Sequence, residues 1–129
     1  MLDTNIVSDL IRNPQGRAAA RLGLHGDDGL CVSVVTAAEL RYGCAKRASA
    51  RLLARVEAVL SAIDIVAFDV PADAEYGRIR ASLESTGQPI GPTDLFIAAH
   101  AICLNVTLVT HNVAEFERVK GLRVENWLV

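Results

Sequence analysis

Apolar runs of strand length alternate along the chain with longer stretches of helical periodicity, and this alternation is what most restricts the fold. It specifies a parallel sheet with helices on its faces, an α/β architecture. The strand-like runs are Met1-Leu2, Leu30-Cys31-Val32, Ile65-Val66-Ala67-Phe68 and Thr107-Leu108-Val109-Thr110, with residues 123–127 as a last edge strand. Helices are expected near 6–11, after a turn at Asp3-Thr4-Asn5, and over 17–24, stopped by Gly26-Asp27-Asp28-Gly29. Thr36 with Glu39 reads as a capping box opening a helix over 37–46. Further helices follow over 51–63, over 71–85 with Gly87 as its stop, over 94–104, and over 113–119.

With 51% apolar and 22% charged residues the chain can bury a core, and one domain over residues 1–129 is expected, without linker, repeat or disordered tail. The stretch 95–114 has no Asp, Glu, Lys or Arg. It is broken by His100, Asn105, Thr107, His111 and Asn112, so it reads as a helix and a buried strand rather than a membrane span. Cys31, Cys44 and Cys103 are an odd number without a C-x-x-C spacing, as expected for inert thiols in a reduced, cytoplasmic protein. Thirteen basic against fifteen acidic side chains exclude broad, charge-driven polyanion binding, though not a local one. Aromatic residues are 5%, too few for a base-stacking platform.

Open α/β sheets bind ligands at the carboxyl ends of their strands. Asp3 follows the first strand, Glu39 lies early in the helix after the second, Asp94 opens the helix feeding the fourth, and Asn112 follows the fourth. Each has a structural explanation of its own. Asp3 and Asn112 suit helix caps, Glu39 completes the box with Thr36, and Asp94 suits a helix dipole. Together they place acids at one edge, where two carboxylates about 4 Å apart repel by about 4 kcal/mol at an effective dielectric near 20. Protons or a cation must compensate, and hard oxygen ligands without His or Cys fit Mg²⁺ or Mn²⁺.

Four local sequences carry a resemblance: Leu2-Asp3-Thr4-Asn5-Ile6-Val7, Ala38-Glu39-Leu40-Arg41-Tyr42-Gly43, Pro89-Ile90-Gly91-Pro92-Thr93-Asp94-Leu95-Phe96 and Leu108-Val109-Thr110-His111-Asn112-Val113-Ala114-Glu115-Phe116. In this order they resemble the PIN-domain ribonucleases of the VapC toxin family over essentially the whole chain. The resemblance implies a PIN-like three-layer fold with a central, mainly parallel sheet of about five strands flanked by helices. It also implies an endoribonuclease toxin dependent on Mg²⁺ or Mn²⁺, held inactive by a VapB-type antitoxin and assembling as a homodimer. The metal ligands it implies are Asp3, Glu39 and Asp94. Asn112 stands where many PIN domains have Asp, which leaves the number of metal ions open.

Such a site activates water for in-line attack on a phosphodiester, giving 3′-hydroxyl and 5′-phosphate ends. Asn112 and Thr110 are expected as supporting polar groups. Basic residues must rim an acidic pocket that admits RNA. Arg12, Arg41, Lys46, Arg47, Arg78, Arg80 and Arg118 are the candidates, Arg41 first because it follows Glu39 by two. With so few aromatics, a folded RNA with an accessible loop, such as tRNA, is the expected substrate. Three other readings stand on the residues alone: a structure-specific DNA nuclease, a receiver-like acidic-pocket module, and a metal-free interaction domain whose acids are all caps.

Overall fold

The computed structural model describes residues 1–26 and 29–129. Asp27 and Asp28, within the turn read as the stop of the second helix, lie outside the described residues. In chain order the elements are α1 Thr4–Arg12, α2 Arg17–His25, β1 Cys31–Ser33, α3 Val34–Arg47, α4 Ala50–Ser61, β2 Asp64–Val66, α5 Ala72–Ser85, α6 Pro92–Cys103, β3 Leu108–Val109, α7 Val113–Phe116 and β4 Val124–Glu125.

β1 pairs in parallel with β2, with Val32 opposite Ile65, and β3 pairs in parallel with β4, with Leu108 opposite Val124. The Met1-Leu2 segment joins the two pairs. Leu2 forms a parallel bridge to Val109, and its N–H donates to the Cys31 carbonyl at 2.9 Å. The spatial order is therefore β2, β1, Met1-Leu2, β3, β4, five extended segments as expected.

Successive strand residues point to opposite faces, and here both faces are buried. Met1, Cys31 and Leu108 enter one apolar cluster with Ile79 and Leu83 of α5, Leu95 and Ala98 of α6 and Phe116 of α7. Their neighbours Leu2, Val32 and Val109 enter a second cluster with Ile6 and Leu10 of α1, Leu40 of α3 and Val56 and Leu60 of α4. Helices thus cover the sheet on each side, the arrangement that near-continuous apolar strands require.

Local chemistry sets the boundaries. The expected turn at residues 3–5 is already helical, because the Asp3 carboxylate accepts from the Thr4 N–H at 2.8 Å and starts α1 there. Thr36 does not open α3. Ser33 caps that helix three residues earlier, its Oγ accepting from the Val35 N–H at 3.1 Å, so Thr36 lies inside the helix and its buried hydroxyl has no partner among the described residues. The capping box is not formed, and Glu39 is released from it. α5 ends as expected: Gly87 takes φ +68°, and Gln88 and Gly87 donate to the carbonyls of Leu83 and Glu84. The stretch 95–114 divides into α6 and β3, and no helix among the described residues is long and apolar enough to cross a membrane. Cys31 and Cys44 are buried, Cys103 is partly so, and all three thiols are free.

Candidate active site

Because the strands are parallel, their carboxyl ends share one edge, and Asp3, Ser33 and Thr110 stand just past it. Asp3 is 3% exposed. Its Oδ2 accepts from the Thr110 hydroxyl at 2.7 Å and from Asn5 Nδ2 at 3.3 Å, while Oδ1 accepts from Thr4 N. Burial raises its pKa above the ordinary carboxylate value, and these three hydrogen bonds oppose the rise. Asn5 also fixes the next loop, its Oδ1 accepting from the His111 N–H at 2.9 Å.

Glu39, free of Thr36, accepts instead from the Thr4 hydroxyl at 2.8 Å, which ties α3 to the start of α1 beside Asp3. Asp94 lies in the first turn of α6, where Gly91 and Pro92 bring the chain to the same edge. Its pKa is pushed up to about 8, first by burial, then by a hydrogen bond with Glu115, then by the charges of Glu115, Asp3 and Glu39. Glu115 moves the other way, lowered by that hydrogen bond and by the Gly91 N–H, which donates to its Oε1 at 3.0 Å, with the Arg118 charge helping. The pair keeps one proton, held on Asp94.

Asp94 therefore feels three other carboxyl groups at this edge. Sequence reading named three and missed Glu115. The available signal was its place three residues after Asn112, in the first turn of the short helix α7. Asn5 was missed as well, two residues from Asp3 and hydrogen-bonded to it.

Asn112 stays beside Asp3, and Arg41 turns away from it. Asn112 is exposed, its backbone N–H donates to the Thr110 hydroxyl at 3.0 Å, and its side chain makes neither a cap nor any hydrogen bond among the described residues. Arg41 forms a two-pronged pair with Glu57 of α4, at 2.8 and 3.1 Å. Residues two apart on a helix do not share a face, so following Glu39 by two turns Arg41 away from it. Arg78 and Arg80 are paired with Glu75 and Glu84 on α5. Arg118 stays near the pocket, donating to the Pro89 carbonyl at 3.0 Å. Tyr42 is 65% exposed. His100 is buried with Nδ1 2.8 Å from Ser33 Oγ, and burial lowers its pKa, which favours a neutral packing residue.

Among the described residues no three His, Cys, Asp or Glu side chains stand close enough, as placed, to grip one ion. Each carboxyl is drawn to a nearer hydrogen-bonding partner: Thr110 for Asp3, Thr4 for Glu39, and each other for Asp94 and Glu115. The donor chemistry nonetheless suits a hard divalent cation, because it is all oxygen and the charges of Glu115, Asp3 and Glu39 raise the proton affinity of Asp94.

The PIN domain family model matches residues 1–122. A Shigella flexneri protein named tRNA(fMet)-specific endonuclease VapC is 43% identical over 128 residues, covering 98% of this chain and 96% of its own length. The chain belongs to the VapC family of PIN-domain proteins. The VapC ribonuclease designated VapC2 of Haemophilus influenzae strain Rd is 40% identical over 99% of this chain and 97% of its own. The crystal structure of DNA-bound VapBC from Salmonella typhimurium superposes with a TM-score of 0.91 at 39% identity, covering 98% of this chain and 96% of that one. The VapC fold therefore spans the described chain, with the carboxyl cluster at the strand ends.

Proposed function

We propose that this VapC-family chain is a metal-dependent endoribonuclease, the toxin of a toxin–antitoxin pair, which hydrolyses phosphodiester bonds in structured RNA such as tRNA. The observation that carries the reading is the cluster of Asp3, Glu39, Asp94 and Glu115 at one sheet edge, crowded enough to hold a proton on Asp94 up to a pKa of about 8. Deprotonated and facing one another, these groups demand positive charge. The names of the relatives, ribonuclease and tRNA(fMet)-specific endonuclease, agree with this chemistry.

Asp3 and Asp94 are the principal ligands for Mg²⁺ or Mn²⁺, with Glu39 as a ligand or a water-orienting base. When bound, such an ion supplies charge neutralisation for the scissile phosphate and a lowered pKa for the attacking water. Binding requires Glu39 to turn from Thr4 and Asp94 to give up its proton and its bond to Glu115. Thr110 and Asn5 hold Asp3 in one orientation throughout. Glu115 then receives the role that Asn112 leaves unfilled, a fourth carboxylate able to orient water or a second ion. Water adds to phosphorus, the bond to O3′ breaks, and the leaving oxygen takes a proton, giving 3′-hydroxyl and 5′-phosphate ends.

The partners in this reading are RNA, a VapB-type antitoxin and a second copy of the chain, acting in the cytoplasm. The complexes crystallised from related bacteria pair VapC with VapB, and Val34, Leu53, Ile65 and Val70 leave apolar surface exposed on this chain.

Incubating the purified chain with total RNA, single-stranded DNA and flap DNA, with and without Mn²⁺, tests the reading. RNA alone is cut, only with the metal, and Asp3→Asn lowers the rate by about a thousandfold, the worth of roughly 4 kcal/mol of transition-state stabilisation. Cleavage that survives in Asp3→Asn refutes the site, and selective cutting of DNA refutes the substrate.

A further inference from the structure

Four arginines on one side of the molecule lack any acidic partner or hydrogen bond among the described residues. Arg12, Arg47, Arg51 and Arg55 are all exposed, and every ion pair present engages other arginines, namely Arg21, Arg41, Arg78 and Arg80. The four are not scattered. A groove of about 180 Å³ begins at Thr4 and Glu39, the edge of the carboxyl cluster, and is bordered farther out by Arg12 and Arg47. Arg47 continues into a second depression of about 330 Å³ with Arg51 and Arg55. Arg55 and Arg12 border a third of about 490 Å³ over α1 and α4. Shared lining residues make the three a continuous path.

We infer that this path is a track for the phosphodiester backbone of single-stranded RNA, running from the α4 face to the carboxyl cluster. The inference rests on the ribonuclease reading and adds the direction from which substrate arrives. Guanidinium groups bind phosphate oxygens through paired N–H donors, and an arginine without a carboxylate neighbour offers that fork unspent. Arg51 and Arg55 are four residues apart on α4, so about 6 Å of helix rise separates them, on the scale of successive phosphates in an extended strand. The groove floor is apolar, Leu40, Leu52 and Val56 offering nothing that reads a base edge. Contacts of this kind set position and affinity, not sequence. An acidic antitoxin segment is the competing occupant. The path favours RNA because it leads directly to Glu39, where a scissile phosphate must arrive.

The test compares the full chain with the double variant R51Q/R55Q, both positions lying outside the carboxyl cluster. A fluorescein-labelled oligouridine is titrated in EDTA, where turnover does not interfere, at several salt concentrations. The wild type binds with a steep loss of affinity on adding salt, and the variant's slope of log K against log salt is shallower by about 1.4, or about 0.7 for each phosphate contact removed. With Mn²⁺, the variant's KM for RNA rises while kcat and the melting temperature hold. An unchanged salt slope, no RNA binding by the wild type, or a variant whose only defect is affinity for its antitoxin overturns the track. Absence of metal-dependent cleavage by the wild type sinks the ribonuclease reading instead, and the binding slopes are read independently of it.

Discussion

Two groups of arginines in this molecule, one in each helical layer, are treated in opposite ways, with Arg41 of α3 held apart from the second group by Glu57 of α4. On α5, Arg78 and Arg80 are closed by Glu75 at 2.7 Å and Glu84 at 2.9 Å, partners three and four residues away on the same helix. Across the sheet, on α1, α3 and α4, Arg12, Arg47, Arg51 and Arg55 meet no acid among the described residues. The near-balanced total charge of −2 is thus the sum of a neutralised face, a basic face and an acidic edge. Net charge describes solubility and long-range steering, and it averages away this kind of division. Local pairing has the further effect of directing phosphate to the face where arginines are free.

The largest effect expected beyond loss of a principal ligand tests whether the acidic edge includes a fourth carboxylate. Glu115→Gln removes the negative charge that holds the Asp94 proton, while its amide oxygen can still accept from the Gly91 N–H. Supporting groups around metal ligands are worth about ten- to a hundredfold in affinity or activity. Cleavage of RNA by Glu115→Gln should fall within that range, and the Mn²⁺ concentration for half-maximal rate should change with it, while RNA binding in EDTA stays at the wild-type level. Full activity in Glu115→Gln reduces the edge to three working acids. Weakened RNA binding in EDTA joins the two regions that the comparison separates.

Much of this edge could be read from residue order alone. Asp3 falls just after the first apolar run, Glu39 lies early in the helix after the second, and Asp94 opens the helix feeding the fourth, positions that a parallel sheet brings toward one edge. What escaped was decided by tertiary partners. Thr36 and Glu39 have the spacing of a capping box, but Ser33, better placed at the end of β1, takes the cap and frees Glu39 for Thr4. Arg41 is near Glu39 in number and on another side of α3 in space, and nothing local announces that Glu57, on a different helix, will claim it. Glu115 reads as an ordinary acid early in a helix until Gly91 arrives from 24 residues away. β2, β3 and β4 are shorter than the runs expected for them because flanks such as Phe68 pack without joining a ladder, while β1 keeps its expected length and shifts by one residue to Cys31–Ser33.

A smaller effect, seen in stability, checks the crowding itself. In chelator, folded Asp94 keeps its proton up to about 8, against an ordinary value of 3.8. Between those values the folded chain binds more protons than the unfolded one, so raising the pH favours unfolding. Asp3 acts in the same sense, and Glu115, whose pKa is lowered, acts in the opposite sense at acid pH. Buried His100 destabilises the fold only as pH falls through its own range. The Met1 ammonium, whose pKa burial lowers, opposes Asp94 over the same interval, so the readout is a difference: in thermal melts from pH 7 to pH 8.5 in EDTA, the wild type should lose melting temperature relative to Asp94→Asn, which has no proton to lose. Parallel profiles for the wild type and Asp94→Asn over this interval remove the claim that the carboxyls repel one another.

The smallest effect is a designed absence, and it makes the comparison of the two arginine faces strict. R78Q/R80Q removes as many positive charges as R51Q/R55Q, so both variants change the net charge equally and alter any purely global attraction to RNA by the same amount. The α5 arginines, however, sit against carboxylates that would accompany them to a phosphate as repulsion, and removing them leaves Glu75 and Glu84 uncovered. If position governs binding, R78Q/R80Q keeps the wild-type salt slope for oligouridine, and its melting temperature does not measurably change, because exposed helix pairs contribute little. If charge count governs it, the two double variants lose affinity in parallel. Only the first outcome assigns the substrate to a face, since counterion release follows the phosphates an arginine actually touches rather than the total the protein carries.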